Sequence, residues 1–258
     1  MKNSITVVKF GTNTLLDLDG NIHHEIFEQQ GTNLDKHTGD IVLVSSGAVG
    51  FGKALTTFES EKDEVLRKRS YAKKGNPHLA QKWDESIKSK DVLQCLVTYK
   101  DLLCQDFVRS IQSDLRNGAI PLLNYNDAVS DAELKKLNGG SAFGDNDHLS
   151  VEVSRCCSQF NHQINLIICT NTDGILDEFG QTIPSLAADE LDDDRITQLC
   201  GKRTSTGGTG GMKTKATYSR DLLLENESIN SVQIINGTKP YQLQQALQEK
   251  LIGTLITV

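Results

Sequence analysis

Seven short apolar runs recur along the chain: Ile5–Phe10, Ile41–Ser45, Val92–Thr98, Ile120–Asn124, Ile164–Thr170, Ser231–Ile235 and Leu255–Val258. They are apolar throughout rather than alternating, which is the pattern of strands covered on both faces. Amphipathic helical stretches lie between them: Glu25–Lys36, Leu102–Asn117, His148–Gln159, Glu190–Cys200, Met212–Glu225 and Tyr241–Lys250. Strand and helix signals in alternation predict an α/β fold with a mostly parallel sheet sandwiched by helices. In such sheets ligands bind beyond the C-terminal ends of the strands, so the residues that follow each run are the first candidates for function.

The 258 residues suit a single domain, and no internal repeat or long linker divides them. A formal net charge of -7 argues against a nucleic-acid partner, which wants a basic face. No apolar run approaches the roughly 18 residues that cross a bilayer. Met1 to Phe10 read as a strand rather than a signal peptide. The expectation is a cytoplasmic protein with no membrane partner. The six cysteines make no C-x-x-C pair and no zinc spacing, so they are expected to be buried free thiols.

Three glycine-, Asn- and Asp-rich connections, 138–147, 170–180 and 201–211, carry most of the candidate chemistry. The most informative is Gly207-Gly208-Thr209-Gly210-Gly211-Met212-Lys213-Thr214-Lys215. Four glycines running into a helix offer backbone N–H groups to phosphate oxygens. Lys215, about one turn in, brings an amine to the transferring group. The segment matches neither a Walker A loop nor a dinucleotide-binding fingerprint.

Other strand ends add to it. Lys9 closes the first run and Gly11 follows it; a lysine there is costly unless an anion meets it. Ser46-Gly47-Ala48 leads from a strand into a helix whose free N–H groups suit a carboxylate or phosphate. Asn124-Tyr125-Asn126-Asp127 ends a strand in polar side chains, read either as an Asx-turn or as contacts to an amino acid. Asp145-Asn146-Asp147 opens a helix with more acidic and amide groups than capping needs. An aspartate between two lysines would orient both amines. His148 is expected to face solvent and is given no role. Thr170-Asn171-Thr172-Asp173-Gly174 is a polar turn after a strand.

Two lysines, an aspartate and a glycine loop without any general base fit phosphoryl transfer to a carboxylate. Such a nucleophile is already ionised at neutral pH, and catalysis needs mainly positioning and charge neutralisation.

The ordered blocks VVKFGTN, VSSGAVGFG, GNPHLAQ, PLLNYNDAVS, FGDNDHLS, TNTDGI and GTGGMKTK, spanning Val7 to Thr254 with their flanks, resemble the glutamate 5-kinases of the amino acid kinase superfamily. That resemblance implies a three-layer αβα sandwich over residues 1–258. Its N-terminal half would bind substrate and its C-terminal half ATP. The implied reaction forms L-glutamyl 5-phosphate from ATP and L-glutamate, with Mg2+ accompanying ATP, in proline biosynthesis. It implies Lys9, Asp147 and Lys215 as catalytic residues, and Ser46, Gly47, Asp127 and Asn146 as glutamate contacts. Lys9, Gly11, Thr170, Asn171, Gly208, Thr209, Gly210, Gly211, Met212, Lys213, Thr214 and Lys215 would hold ATP. Asp145 would lie near the metal or substrate, and no residue is assigned as a metal ligand. A homo-oligomer, dimer or tetramer, and a complex with glutamyl phosphate reductase are further implied expectations.

Four departures from the family pattern stand out. The PUA domain that many relatives carry at the C-terminus is expected to be absent. Tyr125 stands in a block that usually reads N-E-N-D, and Asn171 where T-D is usual. Residues 67–74 are more charged than in relatives, with Lys73 and Lys74 among them. Two alternatives remain beside glutamate phosphorylation: a kinase for another carboxylate, and a weakened paralogue that binds its ligand as a regulator.

Overall fold

The computed structural model of the protein describes residues 4–129, 145–200 and 211–258. Eight strands form one sheet: β1 Ser4–Phe10, β2 Asp40–Ser45, β3 Val92–Val97, β4 Ile120–Tyr125, β5 Gln163–Thr170, β6 Ser185–Ala187, β7 Ile229–Asn236 and β8 Thr254–Thr257. Their order is β3-β4-β2-β1-β5-β7-β8-β6. Every pairing is parallel except β7 with β8. The described helices are α1 Thr12–Leu15, α2 His24–Lys36, α3 Ala48–Leu55, α4 Glu64–Ser86, α5 Tyr99–Leu102, α6 Gln105–Arg116, α7 Asn146–Ser158, α8 Asp193–Cys200, α9 Met212–Glu225 and α10 Gln242–Leu247. None of them is long and apolar enough to cross a membrane.

Two apolar cores form because successive strand residues point to opposite faces. On one face Val7, Val44, Leu123 and Ile168 pack with Ile111 of α6, Leu149 of α7, Ile196 of α8 and Leu222 of α9. On the other, Val8, Phe10, Leu43 and Ile167 pack with Phe27 of α2, Phe51 of α3, Trp83 of α4 and Leu243 of α10. This is the expected sandwich. The seven expected strands are present, and β6 is an addition of three residues after Pro184.

The expected helix list omitted the longest helix. α4 runs for 23 residues and holds Pro77 in its interior, where the missing N–H forfeits an intrahelical bond. Asp63 caps it by accepting from the Val65 and Leu66 amides. It is attached by glycine contacts rather than by a broad apolar stripe. A Cβ on Gly52 of α3 would collide with the Tyr71 carbonyl, and one on Gly75 with that of Ala48. Trp83 then pins α4 to the end of β2: its Nε1 donates to Ser45 Oγ at 2.9 Å, and its ring packs 4.8 Å from that of Phe10.

The cysteines are free thiols as expected, but not all are buried. Cys104, at the start of α6, is exposed, and Cys95, on the outermost strand, is half-buried.

Candidate functional site

The side chain of Lys9 follows the parity of β1. Residues 5 and 7 face the α7 side, so residue 9 does too, at the C-terminal end of the strand. There its ammonium meets Asp147, in the first turn of α7, at 2.5 Å. Lys215, in the first turn of α9, reaches the other carboxylate oxygen at 2.8 Å. All three side chains are buried, with Lys9 and Asp147 each 4% exposed and Lys215 9%. Burial alone would raise the Asp147 pKa. The two ammonium groups more than offset it, and the carboxyl sits below its usual range. Two ammonium groups share the Asp147 carboxylate here in a water-poor site, with the Asp145 carboxylate buried two residues away. Two ammonium groups brought together at the end of the sheet suit an anion.

Backbone geometry leaves room for the anion. Gly11 follows Lys9 and donates its N–H to the Cys169 carbonyl; a Cβ there would lie 3.5 Å from Lys9 Nζ. Gly47 takes φ 109, a conformation open to glycine, and starts α3 with no side-chain cap. Gly211 starts α9, also without a side-chain cap, four residues before Lys215. Two uncapped helix N-termini therefore face the region beyond the sheet end.

The first turn of α7 supplies the remaining expected groups. Asp145 caps the helix by accepting from the His148 amide at 2.7 Å. Asn146 is 6% exposed, and its Oδ1 has no hydrogen-bond partner among the described residues. Ser46 is buried after β2, tied by its N–H to the Phe10 carbonyl. Asp127 lies half-buried beyond β4, where burial pushes its carboxyl up to about 7.

Other expected residues stand apart or fall outside what is described. Gly208, Thr209 and Gly210 lie outside the described residues. Lys213 turns to α8, where its Nζ donates to Thr197 Oγ1 at 2.9 Å. Thr170 Oγ1 accepts from the Thr172 amide and shapes the turn after β5, on which Asn171 is exposed. The acid of that turn is Asp173, which pairs with Lys239 Nζ at 2.8 Å and accepts from Asn236 Nδ2 at 3.0 Å. These contacts lock the loops that follow β5 and β7 together.

Two readings need correction. His148 is 9% exposed rather than solvent-facing. Its Nδ1 lies 3.3 Å from the Tyr125 hydroxyl, and its ring packs against that of Tyr218. Tyr125 is thereby a core residue that ties β4 to α7, since strand parity turns it to the α7 face. Sequence reading also missed Asn76 of α4, whose Oδ1 accepts from Asn124 Nδ2 at 3.0 Å. Its neighbour in the Gly75-Asn76-Pro77 block was the available signal.

Comparison with known proteins bears on the family and the fold. The model of the amino acid kinase family matches residues 4–236. The glutamate 5-kinase of Streptococcus thermophilus (strain CNRZ 1066) is 28% identical over 268 residues, covering 96% of this chain and 94% of its own length. That of Geobacillus kaustophilus is 31% identical over 271 residues, covering 100% of this chain and 68% of its own length. Among solved structures, UMP kinase from Bacillus anthracis superposes with a TM-score of 0.61 at 14% identity, covering 100% of this chain and 97% of that one. N-acetylglutamate synthase from Neisseria gonorrhoeae gives 0.61 at 15% identity, and the match spans 61% of its chain. At those identities the structures speak to the fold alone. Family model, relatives and fold agree: the chain is a kinase that belongs to the amino acid kinase family.

Proposed function

We propose that the protein transfers the terminal phosphoryl of ATP to the side-chain carboxylate of L-glutamate, giving ADP and L-glutamyl 5-phosphate. The observation that carries this reading is the buried Lys9–Asp147–Lys215 bridge, which holds two ammonium groups on one carboxylate. Such a centre stabilises negative charge that spreads over a phosphoryl group during transfer. The relatives named glutamate 5-kinase support the choice of acceptor.

In this reading Lys9 and Lys215 neutralise the transferring group, and Asp147 holds both amines in place without cancelling their charge. Asp127 and Asn146 offer oxygen acceptors to the acceptor's ammonium, Ser46 offers its hydroxyl, and the Gly47–Ala48 start of α3 offers N–H groups to a carboxylate. Gly11, Thr170, Asn171 and the 208–215 loop take the nucleotide. Asp127 disfavours a phosphorylated acceptor, because a carboxylate repels a phosphate.

Magnesium would supply charge neutralisation on the ATP phosphates. Among the described residues no three His, Cys, Asp or Glu side chains gather to hold a metal of their own. An ion carried in on phosphates needs one or two protein carboxylates, and Asp145, buried beside Asp147, is the one we assign.

The test is an ATP-dependent assay with hydroxylamine present to trap the acyl phosphate, run across a panel of carboxylic and amino acids. Hydroxamate from glutamate, lost in Lys215→Ala, is the expected result. Hydroxamate from another acid in preference to glutamate would reassign the substrate.

A further inference from the structure

Asn76 follows the glycine at which α4 touches the first residue of α3, so it lies beside the Ser46–Gly47–Ala48 turn. Its side chain also reaches the end of β4 through Asn124. Both carboxamides are 2% exposed. The pair is incomplete. Asn76 Nδ2 and Asn124 Oδ1 are buried with no hydrogen-bond partner among the described residues. Turning both amides over exchanges their roles but again leaves one donor and one acceptor unmatched. Asn146 Oδ1, beside Asp147, is another buried polar atom without a partner among the described residues. Unmatched buried groups are rare, and a donor and an acceptor left over on one buried amide pair call for an outside partner.

We propose that Asn76 is a specificity-determining residue of the acceptor pocket, its Nδ2 donating to the main-chain carboxylate of the amino acid that is phosphorylated. The inference rests on the kinase reading above. The reacting carboxylate belongs at Lys9 on β1, whereas Asn124 ends β4, two strands away in the sheet. Two strand spacings are about 10 Å. The Asn76 pair therefore meets the opposite, unreacting end of the acceptor. A spare N–H matches a carboxylate there. The spare oxygen of Asn124, with the Asp127 carboxylate beyond the same strand, matches an ammonium. That complement describes an α-amino acid carrying a second carboxylate.

The experiment measures dissociation constants by calorimetry, using direct or competition titration, for three ligands: glutamate, 4-aminobutyrate and glutarate. 4-Aminobutyrate lacks the main-chain carboxylate, and glutarate lacks the ammonium. Each is compared between the unaltered protein, Asn76→Ala and Asn76→Asp, with kcat and KM for ATP measured alongside. Losing a hydrogen bond to a charged group should weaken glutamate and glutarate by about 10- to 100-fold in Asn76→Ala. Asn76→Asp, of the same shape but now repelling a carboxylate, should weaken them further. 4-Aminobutyrate affinity and KM for ATP should stay within about twofold, since neither ligand uses the lost group.

Equal weakening of all three ligands would overturn the proposal and make Asn76 a scaffold for the pocket. So would unchanged glutamate binding. Melting temperature identifies a variant that does not fold, and the isosteric Asn76→Asp then carries the comparison. If the unaltered protein forms no hydroxamate from glutamate, the kinase assignment fails separately. The binding series still decides for or against Asn76: weaker glutamate binding in the variants supports it, and equal or absent binding overturns it.

Discussion

Asp147 Oδ2 lies 2.8 Å from Lys215 Nζ, joining the first turn of α7 to the first turn of α9 across the end of the sheet. The same carboxylate holds Lys9 at 2.5 Å, so one acid sets the spacing of two amines carried by separate elements. Replacing it with asparagine leaves two buried ammonium groups facing each other. Asp147→Asn is expected to lower kcat by about 10²–10³-fold and stability by about 3–5 kcal/mol. Lys9→Met in the same chain should recover part of the stability and none of the rate. Chemical denaturation and steady-state kinetics on the single and double variants check both.

The Asp147 ion pairs also set an acid limit. Its folded pKa lies below the usual value, so the stability it lends is fully present above the unfolded value, about 3.9. It is lost as pH falls through the depressed folded pKa. Asp147→Asn should therefore flatten the acid-side fall in melting temperature below about pH 4.

Asp127 behaves oppositely. Burial raises its carboxyl to about 7, so it costs the folded protein stability as pH rises from the unfolded value, about 3.9, towards 7, and the cost is fully present above 7. An acceptor ammonium would favour the ionised form. Glutamate KM should therefore rise as pH falls below about 7, with a proton released on binding. Asp127→Asn should raise KM at every pH, remove this dependence, and raise the melting temperature at pH 8 relative to the unaltered protein. Isothermal calorimetry in two buffers of different ionisation enthalpy reads the proton release directly.

Tyr125 tests whether its departure from the family pattern is a matter of packing. Its hydroxyl is 3.3 Å from His148 Nδ1 and its ring is 2% exposed. Tyr125→Phe should cost about 1 kcal/mol and leave kcat within twofold. Tyr125→Ala should cost about 3–5 kcal/mol. Loss of activity in the stably folded Phe variant would give the hydroxyl a role in the site.

Away from the site, Glu249 has φ 58 at the end of α10. The Glu249 amide donates to Ala246 O and that of Lys250 to Gln245 O, a closing pattern that favours glycine at position 249. Glu249→Gly should stabilise by about 0.5–1 kcal/mol, read as a higher melting temperature with unchanged kinetics.

The strands were legible because each is buried on two faces and so is written as an uninterrupted apolar run. β6 was not, being three residues on the sheet rim with little to bury. α4 escaped because the face it buries mixes apolar Tyr71, Ala72, Leu79 and Trp83 with Gly75, Asn76 and Ser86, its closest approach being to backbone at Gly52 and Gly75, and because Pro77 and the basic residues 67–74 break the pattern. At the site, Lys9, Asp147 and Lys215 were readable from their places at element ends, and the fold brings their side chains into contact. Asn76 and Asn124 were not paired, since they are 48 residues apart and meet only through the folded helix. The burial of Tyr125 and His148 follows from the parity of β4 and the packing of α7, which fix direction only once both elements are in place.

The central claim is that a carboxylate oxygen attacks the terminal phosphorus of ATP at the Lys9–Asp147–Lys215 centre. It is tested most directly with glutamate labelled with ¹⁸O in its side-chain carboxylate. Hydroxylamine attacks the carbonyl carbon of the acyl phosphate and releases phosphate that keeps the bridging oxygen. The account predicts one ¹⁸O in each phosphate released by the unaltered protein, and no labelled phosphate from Lys215→Ala. ADP formed with unlabelled phosphate would mean that water is the acceptor, and would contradict it.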